Sequence, residues 1–162
     1  MHEVQFDNLG FTILRVYIRP RNSATMLPIS YKVDTGANCT TMGSEFLSDL
    51  GYDKEWIKMG KLLVGDERPT VASGIHLDSC YRVVLPEIRI GDWIGYNWPV
   101  LTSPDFQFKF LLGTDSMQFF NWHFDYENGV CKFDLIPNKR KVLFNQKEQS
   151  IHAINDIEQI KN

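Results

Sequence analysis

Hydrophobic and polar residues alternate with a period of two along much of this chain of 162 residues. Apolar side chains occupy every second position in residues 14–18 and again in residues 29–33. Successive side chains of a β-strand point to opposite faces of its sheet, so this pattern predicts two half-buried strands. Asp34 comes directly after the second strand. By the same parity it is expected on the face opposite the apolar side chains, if the strand stays regular that far.

The rest of the first 136 residues also favours short strands. Residues 61–93 contain short apolar stretches that glycines interrupt, which is typical of β-hairpins. Residues 122–135 predict the clearest hairpin, because apolar positions alternate on both arms and Asn128-Gly129 favours a two-residue turn with positive φ angles. The aromatic segment 93–98 is expected to be loop-like.

Two short helices interrupt this strand pattern. Ser44 is a candidate N-cap for the first helix, and Gly51 is placed to end it with a left-handed turn. The second helix is expected after Gly113, where Asp115 and Gln118 have the spacing of a capping box.

Composition indicates one globular domain and excludes several classes of function. Hydrophobic residues make up 43% of the chain and charged residues 23%, and the net charge is −3. That charge argues against a nucleic-acid binder, and no apolar run is long enough to cross a membrane. We predict a domain over residues 1–136 and a polar, helix-prone C-terminal extension over residues 137–162.

The N-terminus lacks the charge and apolar pattern of a signal peptide, and the cysteines form an odd, scattered set that does not suggest disulfides. We therefore expect a cytoplasmic protein. The cysteines are Cys39, Cys80 and Cys131.

The segment Asp34-Thr35-Gly36 has the composition of a carboxylate site. A carboxylate works as a general base near neutral pH when a second carboxylate lies about 3 Å away, because the two then share one proton. Such a site requires a tight loop at the end of a rigid strand. Glycine beside the aspartate permits the turn and the close approach of the backbone, and a small hydroxyl braces the loop.

Asp34-Thr35-Gly36-Ala37 resembles the active-site motif of aspartic proteases, and its surroundings resemble the single-lobed, retropepsin-like branch. Leu111-Leu112-Gly113 resembles the hydrophobic-hydrophobic-glycine element that lies beside the active-site loop in this family. Residues 50–53 and 85–92 resemble bacterial-type members. The resemblance covers residues 11–136 and implies an all-β, retropepsin-like fold. That fold is a closed or partly open β-barrel with one or two short helices and an active site at a homodimer interface.

The resemblance also implies what the site does. Two-lobed members of the family carry two such motifs, whereas this chain has one Asp-Thr-Gly and no Asp-Ser-Gly. The second carboxylate is therefore expected from Asp34 of a second copy, with Thr35 forming hydrogen bonds across the two-fold axis. We expect an endopeptidase that activates water on peptide or protein substrates, with Ala37 lining the cleft and without cofactor or metal.

A protease of this kind requires a lid over its substrate. The resemblance places the lid, or flap, at the hairpin around Gly74, although an ordinary surface hairpin and a flap tip at residues 64–69 remain alternatives. A catalytic role for the Cys39 thiol and one for Asp115, which is first expected to cap a helix, are weaker alternatives. The rival function from another class is a catalytically inert retropepsin-like module for dimerisation or binding. A highly selective processing protease is a second rival.

Overall fold

The structure is a computed structural model, and it describes residues 2–70 and 76–136. The predicted C-terminal extension lies outside the described residues. The strands are β1 (His2–Gln5), β2 (Ile13–Ile18), β3 (Leu27–Val33), β4 (Lys61–Leu62), β5 (Tyr81–Ile90), β6 (Trp93–Thr102), β7 (Leu111–Leu112), β8 (Phe120–Asp125) and β9 (Val130–Leu135). The helices are α1 (Ser44–Asp49), α2 (Lys54–Lys58) and α3 (Thr114–Met117), with a 3₁₀ turn at Gly65–Glu67.

The strands of residues 2–70 and 76–136 form two sheets, and this part of the chain is mostly β as predicted. One has three strands in the order β1-β9-β8. The other has six strands in the order β4-β5-β2-β3-β7, with β6 paired to β5. All but one of the strand pairs are antiparallel; the exception is the pair of β3 with β7.

Strands β2 and β3 follow the period predicted from the sequence. Alternate residues of β2 are buried, and the three apolar side chains of β3 at positions 29, 31 and 33 are buried as well. The two strands pair in antiparallel register from Ile13–Lys32 to Ile18–Leu27. Val33 donates its N–H to the Thr12 carbonyl at 2.9 Å, which fixes the end of β3 immediately before Asp34.

Strands β5 and β6 form the longest hairpin, and here the prediction of a loop-like aromatic segment is wrong. Ile90 pairs with Trp93 across a two-residue turn in which Gly91 has a φ of +56°. Gly95 lies within β6 and makes room for the Trp93 ring. Trp98 is consequently part of the core, whereas Tyr96 points outward and is exposed.

The closing hairpin of β8 and β9 is present, but its turn differs from the prediction. Asp125 pairs with Val130, so four residues connect the strands instead of two. Gly129 has a positive φ of +68°, and Asn128 does not. The Asp125 carboxylate stabilises the longer turn by accepting the backbone N–H and the side-chain amide of Asn128 at 3.1 and 2.8 Å.

The helices correct one predicted cap, confirm another and add one helix. Gly43, not Ser44, is the N-cap of α1, and the Ser44 hydroxyl accepts a hydrogen bond from Gln107 at 2.7 Å. Gly51 does end this helix with a φ of +92°. The unpredicted helix α2 starts at the Asp53 side chain, which accepts the N–H of Trp56.

One main core holds these elements together. It contains buried apolar side chains from β2, β3, β5 and β6 and from all three α-helices. The largest of them include Trp56 and Tyr52, whose ring centroids lie 4.4 Å apart.

The core predicts the cost of truncating a strand side chain. Leu85 on β5 is fully buried, so Leu85→Ala is expected to lower the free energy of unfolding by about 2–5 kcal/mol. Leu62 on β4 is 47% exposed and serves as the control, with an expected change within about 0.5 kcal/mol for Leu62→Ala. Urea denaturation at one fixed protein concentration measures both variants. Equal losses would contradict the assignment of Leu85 to the core.

Candidate active site

Asp34 lies where β3 ends, beside the short parallel strand β7. Lys32 pairs with Leu111 and Val33 with Leu112, and the Asp34 N–H donates to the Leu112 carbonyl at 3.0 Å. The structure therefore brings the Leu-Leu-Gly element and the Asp-Thr-Gly loop together. Asp34 is partly exposed.

The loop after Asp34 turns tightly around its own carboxylate. Gly36 donates its N–H to Asp34 Oδ1 at 2.9 Å, and Ala37 donates to the Asp34 carbonyl at 3.2 Å. A Cβ on Gly36 would lie 3.3 Å from Asp34 Oδ1, so the site favours glycine there. Thr35 and Gly36 are exposed, and the carboxylate is thus presented at a surface of the single chain.

Gly113 permits the backbone of this loop to pass directly over the start of α3. A Cβ at Gly113 would lie 2.6 Å from the carbonyl carbon and oxygen of Cys39 and 2.9 Å from the Ala37 oxygen. The Thr114 N–H also donates to the Ala37 carbonyl at 2.9 Å. Gly113 has an ordinary φ of −88°, which any residue can adopt. Close contact with the loop backbone, and not the φ angle, is therefore the reason that this position requires glycine.

The far end of the loop is attached by a contact between Thr40 and Asp115 that the sequence analysis did not identify. Thr40 donates its N–H to Asp115 Oδ2 at 3.1 Å and its hydroxyl to Asp115 Oδ1 at 2.8 Å. The Thr40 hydroxyl also accepts the Gly113 N–H and contacts the Ser116 hydroxyl. Thr40 and Ser116 are fully buried.

Thr41 attaches the loop to β7 and to the segment before it. Its N–H donates to the Leu111 carbonyl at 2.9 Å, and its hydroxyl donates to the Lys109 carbonyl at 2.6 Å. The pair of small hydroxyl side chains four and five residues after Gly36 was the available sequence signal for Thr40 and Thr41.

Asp115 does not cap α3 in the way its spacing predicted. The N-cap is Gly113, which has no side-chain cap, and Gln118 instead donates its side-chain amide to the Asp115 carbonyl. The Asp115 carboxylate accepts the N–H of the next residue, Ser116, at 2.7 Å in addition to both donors of Thr40. Burial nevertheless raises the pKa of Asp115, although the hydrogen bonds from Thr40 and Ser116 oppose that shift.

Among solved structures, the chain is similar to a retropepsin-like aspartic protease from Rickettsia conorii. The probability of the match is 1.00, and the TM-score is 0.56 at 17% sequence identity. The match covers 80% of this chain and 86% of the other. The chain has a retropepsin-like fold. This confirms the predicted all-β, retropepsin-like fold, with α2 as an additional short helix.

No protein-family model and no curated protein sequence matches the chain. At 17% identity, the similarity to the Rickettsia protein establishes the fold alone. What the retropepsin-like fold does in this chain therefore depends on the residues at its own loop.

Gly74, the expected flap residue, lies outside the described residues. Thr70 and His76, on either side of it in the sequence, form an antiparallel bridge, and Leu77 donates its N–H to the Pro69 carbonyl at 3.0 Å. The alternative tip at residues 64–69 contains a 3₁₀ turn instead of a hairpin turn.

The cysteine alternative receives no chemical support from the surroundings of Cys39. Burial and the negative charge of Asp115 raise the pKa of the Cys39 thiol, with a smaller opposing influence from Arg82. Burial likewise raises the pKa of Cys80 to about 11. A thiol nucleophile requires a lowered pKa, because the thiolate is the reactive form.

A cavity of about 270 Å³ adjoins the active-site loop. Its lining includes Asn38, Cys39, Arg82, Leu101, Asp115 and Gln118. Among the described residues there is no group of three or more histidine, cysteine or acidic side chains arranged to hold a metal ion. Within the same residues, the helices are too short or too polar to cross a membrane.

The contact at Gly113 predicts a steric penalty for any side chain there. Gly113→Ala is expected to lower the free energy of unfolding by about 1–3 kcal/mol, because the new Cβ displaces the loop backbone at Cys39 and Ala37. Thr114→Ala is the control, since the hydrogen bond of Thr114 to Ala37 uses its backbone N–H. Urea denaturation measures both variants, and a loss no larger than that of the control would contradict the close contact.

The raised pKa of Asp115 predicts a pH dependence of stability. Between the usual aspartate pKa and the raised one, the folded chain holds a proton that the unfolded chain has lost. The contribution of Asp115 to the free energy of unfolding therefore falls as pH rises through this window. We expect the difference in unfolding free energy, wild type minus Asp115→Asn, to decrease as pH rises above the usual aspartate pKa of about 3.9. Urea denaturation at successive pH values measures it, and a constant or rising difference would contradict the shift.

Proposed function

We propose that this chain is an aspartic endopeptidase that hydrolyses peptide bonds as a homodimer, with Asp34 of each subunit in one shared site. One observation carries the proposal. In a retropepsin-like fold, the Asp34 carboxylate sits in an Asp-Thr-Gly turn, accepts the Gly36 N–H at 2.9 Å and faces outward at the end of β3.

A second copy is required because the chain supplies one motif of this kind. The sequence contains a single Asp-Thr-Gly and no Asp-Ser-Gly. Thr35 and Gly36 are exposed in the single chain, which leaves the loop accessible to an identical loop across a two-fold axis. Thr35 is then placed to form hydrogen bonds with its counterpart in the partner subunit.

In the proposed mechanism the two Asp34 carboxyls share one proton. The ionised member removes a proton from water, whose oxygen attacks the peptide carbonyl carbon. The protonated member donates its proton to the carbonyl oxygen, which gives a tetrahedral diol. Collapse of the diol returns a proton to the leaving nitrogen and breaks the carbon–nitrogen bond. The proposed reaction uses neither a covalent intermediate nor a cofactor.

The remaining parts of the site follow from the same proposal. Ala37, one turn after Asp34, is assigned to the wall of the cleft, and Gly74 to the lid. We also assign the chain to the bacterial-type branch on the strength of residues 50–53 and 85–92. A reducing compartment such as the cytoplasm suits the three free cysteines.

The proposal predicts that Asp34→Asn abolishes cleavage without unfolding the domain. Asparagine keeps the shape of the side chain but no longer accepts a proton from water, so we expect a loss of at least about 10³-fold in kcat/KM. Cleavage of a peptide library across pH 4–8 measures the effect. Asp49→Asn, an exposed position at the end of α1, is the matched control and is expected to cleave as wild type does.

Cleavage by Asp34→Asn at the wild-type rate would exclude Asp34 as the catalytic group. A wild type that cleaves no library peptide leaves two rivals, the inert binding module and a protease selective for one cellular protein. Co-expression with the host proteome, followed by mapping of new protein termini, separates them, because only the protease creates termini that depend on Asp34. A strictly monomeric mass under active conditions would contradict the shared site.

A further inference from the structure

The Asp115 carboxylate is partly buried and accepts hydrogen bonds from three donors. Among the described residues, no basic side chain is bonded to it. Oδ2 accepts the Thr40 N–H, and Oδ1 accepts both the Thr40 hydroxyl and the Ser116 N–H. Two of these three donors belong to a residue 75 positions away in the sequence. The main contact of Asp115 is therefore with the active-site loop and not with its own helix.

The attachment at Thr40 continues to Asp34 through a short series of hydrogen bonds. The Ala37 carbonyl accepts the Thr114 N–H, and the Ala37 N–H donates to the Asp34 carbonyl. Gly36 then donates to the Asp34 carboxylate itself. Displacing residues 37–40 from α3 would thus disturb the turn that orients the Asp34 side chain.

We infer that Asp115 is a positioning residue, which holds residues 37–40 against α3 through Thr40 and thereby fixes the orientation of the Asp34 carboxylate. Its effect on catalysis rests on the proposed function, whereas its effect on the loop does not.

The chemistry of the contact requires a carboxylate. All three partners of Asp115 are donors, and a carboxylate accepts with both oxygens. Asparagine has the same shape but only one accepting oxygen, so its NH₂ group would face either the Thr40 N–H or the other two donors. An unpaired buried donor is costly, so the Asp115→Asn substitution is expected to displace residues 37–40 from α3.

The same contact accounts for an otherwise unfavourable burial. Removing a carboxylate from water without a paired cation is costly unless hydrogen bonds compensate for the lost hydration, and at Asp115 three donors supply such bonds. Tyr31 and Cys39 are the other titratable groups that sense the charge of Asp115, and the charge of Arg82 reaches Cys39 as well.

The test uses Asp115→Asn and Thr40→Val, each of which removes one side of the contact. Thr40→Ser, which keeps the hydroxyl, is the conservative comparison. Asp49→Asn is the control for an exposed aspartate. Amide hydrogen exchange followed by NMR reports on Gly36 and Ala37, neither of which contacts Asp115 directly. Steady-state cleavage of a library peptide that the wild type cuts gives kcat and KM for each variant.

We expect exchange at Gly36 and Ala37 to accelerate by about 10-fold or more in Asp115→Asn and Thr40→Val, with exchange in β2 and β5 much less affected. Thr40→Ser is expected to behave nearly as wild type. In the kinetic assay kcat should fall by about 10–100-fold while KM changes by less than about 3-fold, because the lost element orients the reacting group.

Unchanged exchange at Gly36 and Ala37 in folded variants would overturn the inference, as would a uniform acceleration throughout the domain. Thr40→Val decides the matter if Asp115→Asn does not fold. If neither the peptide library nor the co-expression experiment reveals cleavage, the proposed function fails, but the exchange experiment still gives its answer, so the two failures are distinguishable.

Discussion

The attachment of the loop 34–41 to the segment 111–116 is the constraint on which the site depends. Hydrogen bonds join the two segments at Asp34, at Ala37, at Thr40 and at Thr41. The first of them extends the parallel pairing of β3 with β7, so the loop is a direct continuation of the sheet. A rigid strand and a second backbone segment therefore determine together where the carboxylate points, which is the positional precision that a catalytic carboxylate would require.

This arrangement places unusual demands on a few side chains. The two segments approach so closely that glycine is needed at position 113, and the polar groups trapped between them must find partners among themselves. Thr40, Ser116 and Asp115 meet that demand as one connected network. Burial disfavours the charged form of the Asp115 carboxyl and raises its pKa, whereas the hydrogen bonds from Thr40 and Ser116 oppose that shift. The same residues thus stabilise the loop and make it sensitive to substitution.

Local sequence signals predicted much of this fold. The period of two identified β2 and β3, and the Asp-Thr-Gly turn was assigned from residues that are neighbours in the sequence. The contact of Thr40 with Asp115 was missed, because it joins residues 75 positions apart and no local pattern encodes it. The prediction that residues 93–98 are loop-like was wrong, because they belong to strand β6. This strand contains Gly95 and Pro99, which are poor strand formers on their own. Their place is set by pairing with β5, which is a tertiary effect.

Mixed dimers test the central claim, that two copies of Asp34 form one site, most directly. Wild type and Asp34→Asn chains, differently tagged, are refolded together in varying ratios, and the cleavage rate per total protein is recorded. If each site needs both carboxylates and the chains pair at random, the rate follows the square of the wild-type fraction and is about one quarter at equal amounts. A rate that falls in proportion to the wild-type fraction, to about one half in that mixture, would show that each Asp34 acts without its counterpart and would contradict the account.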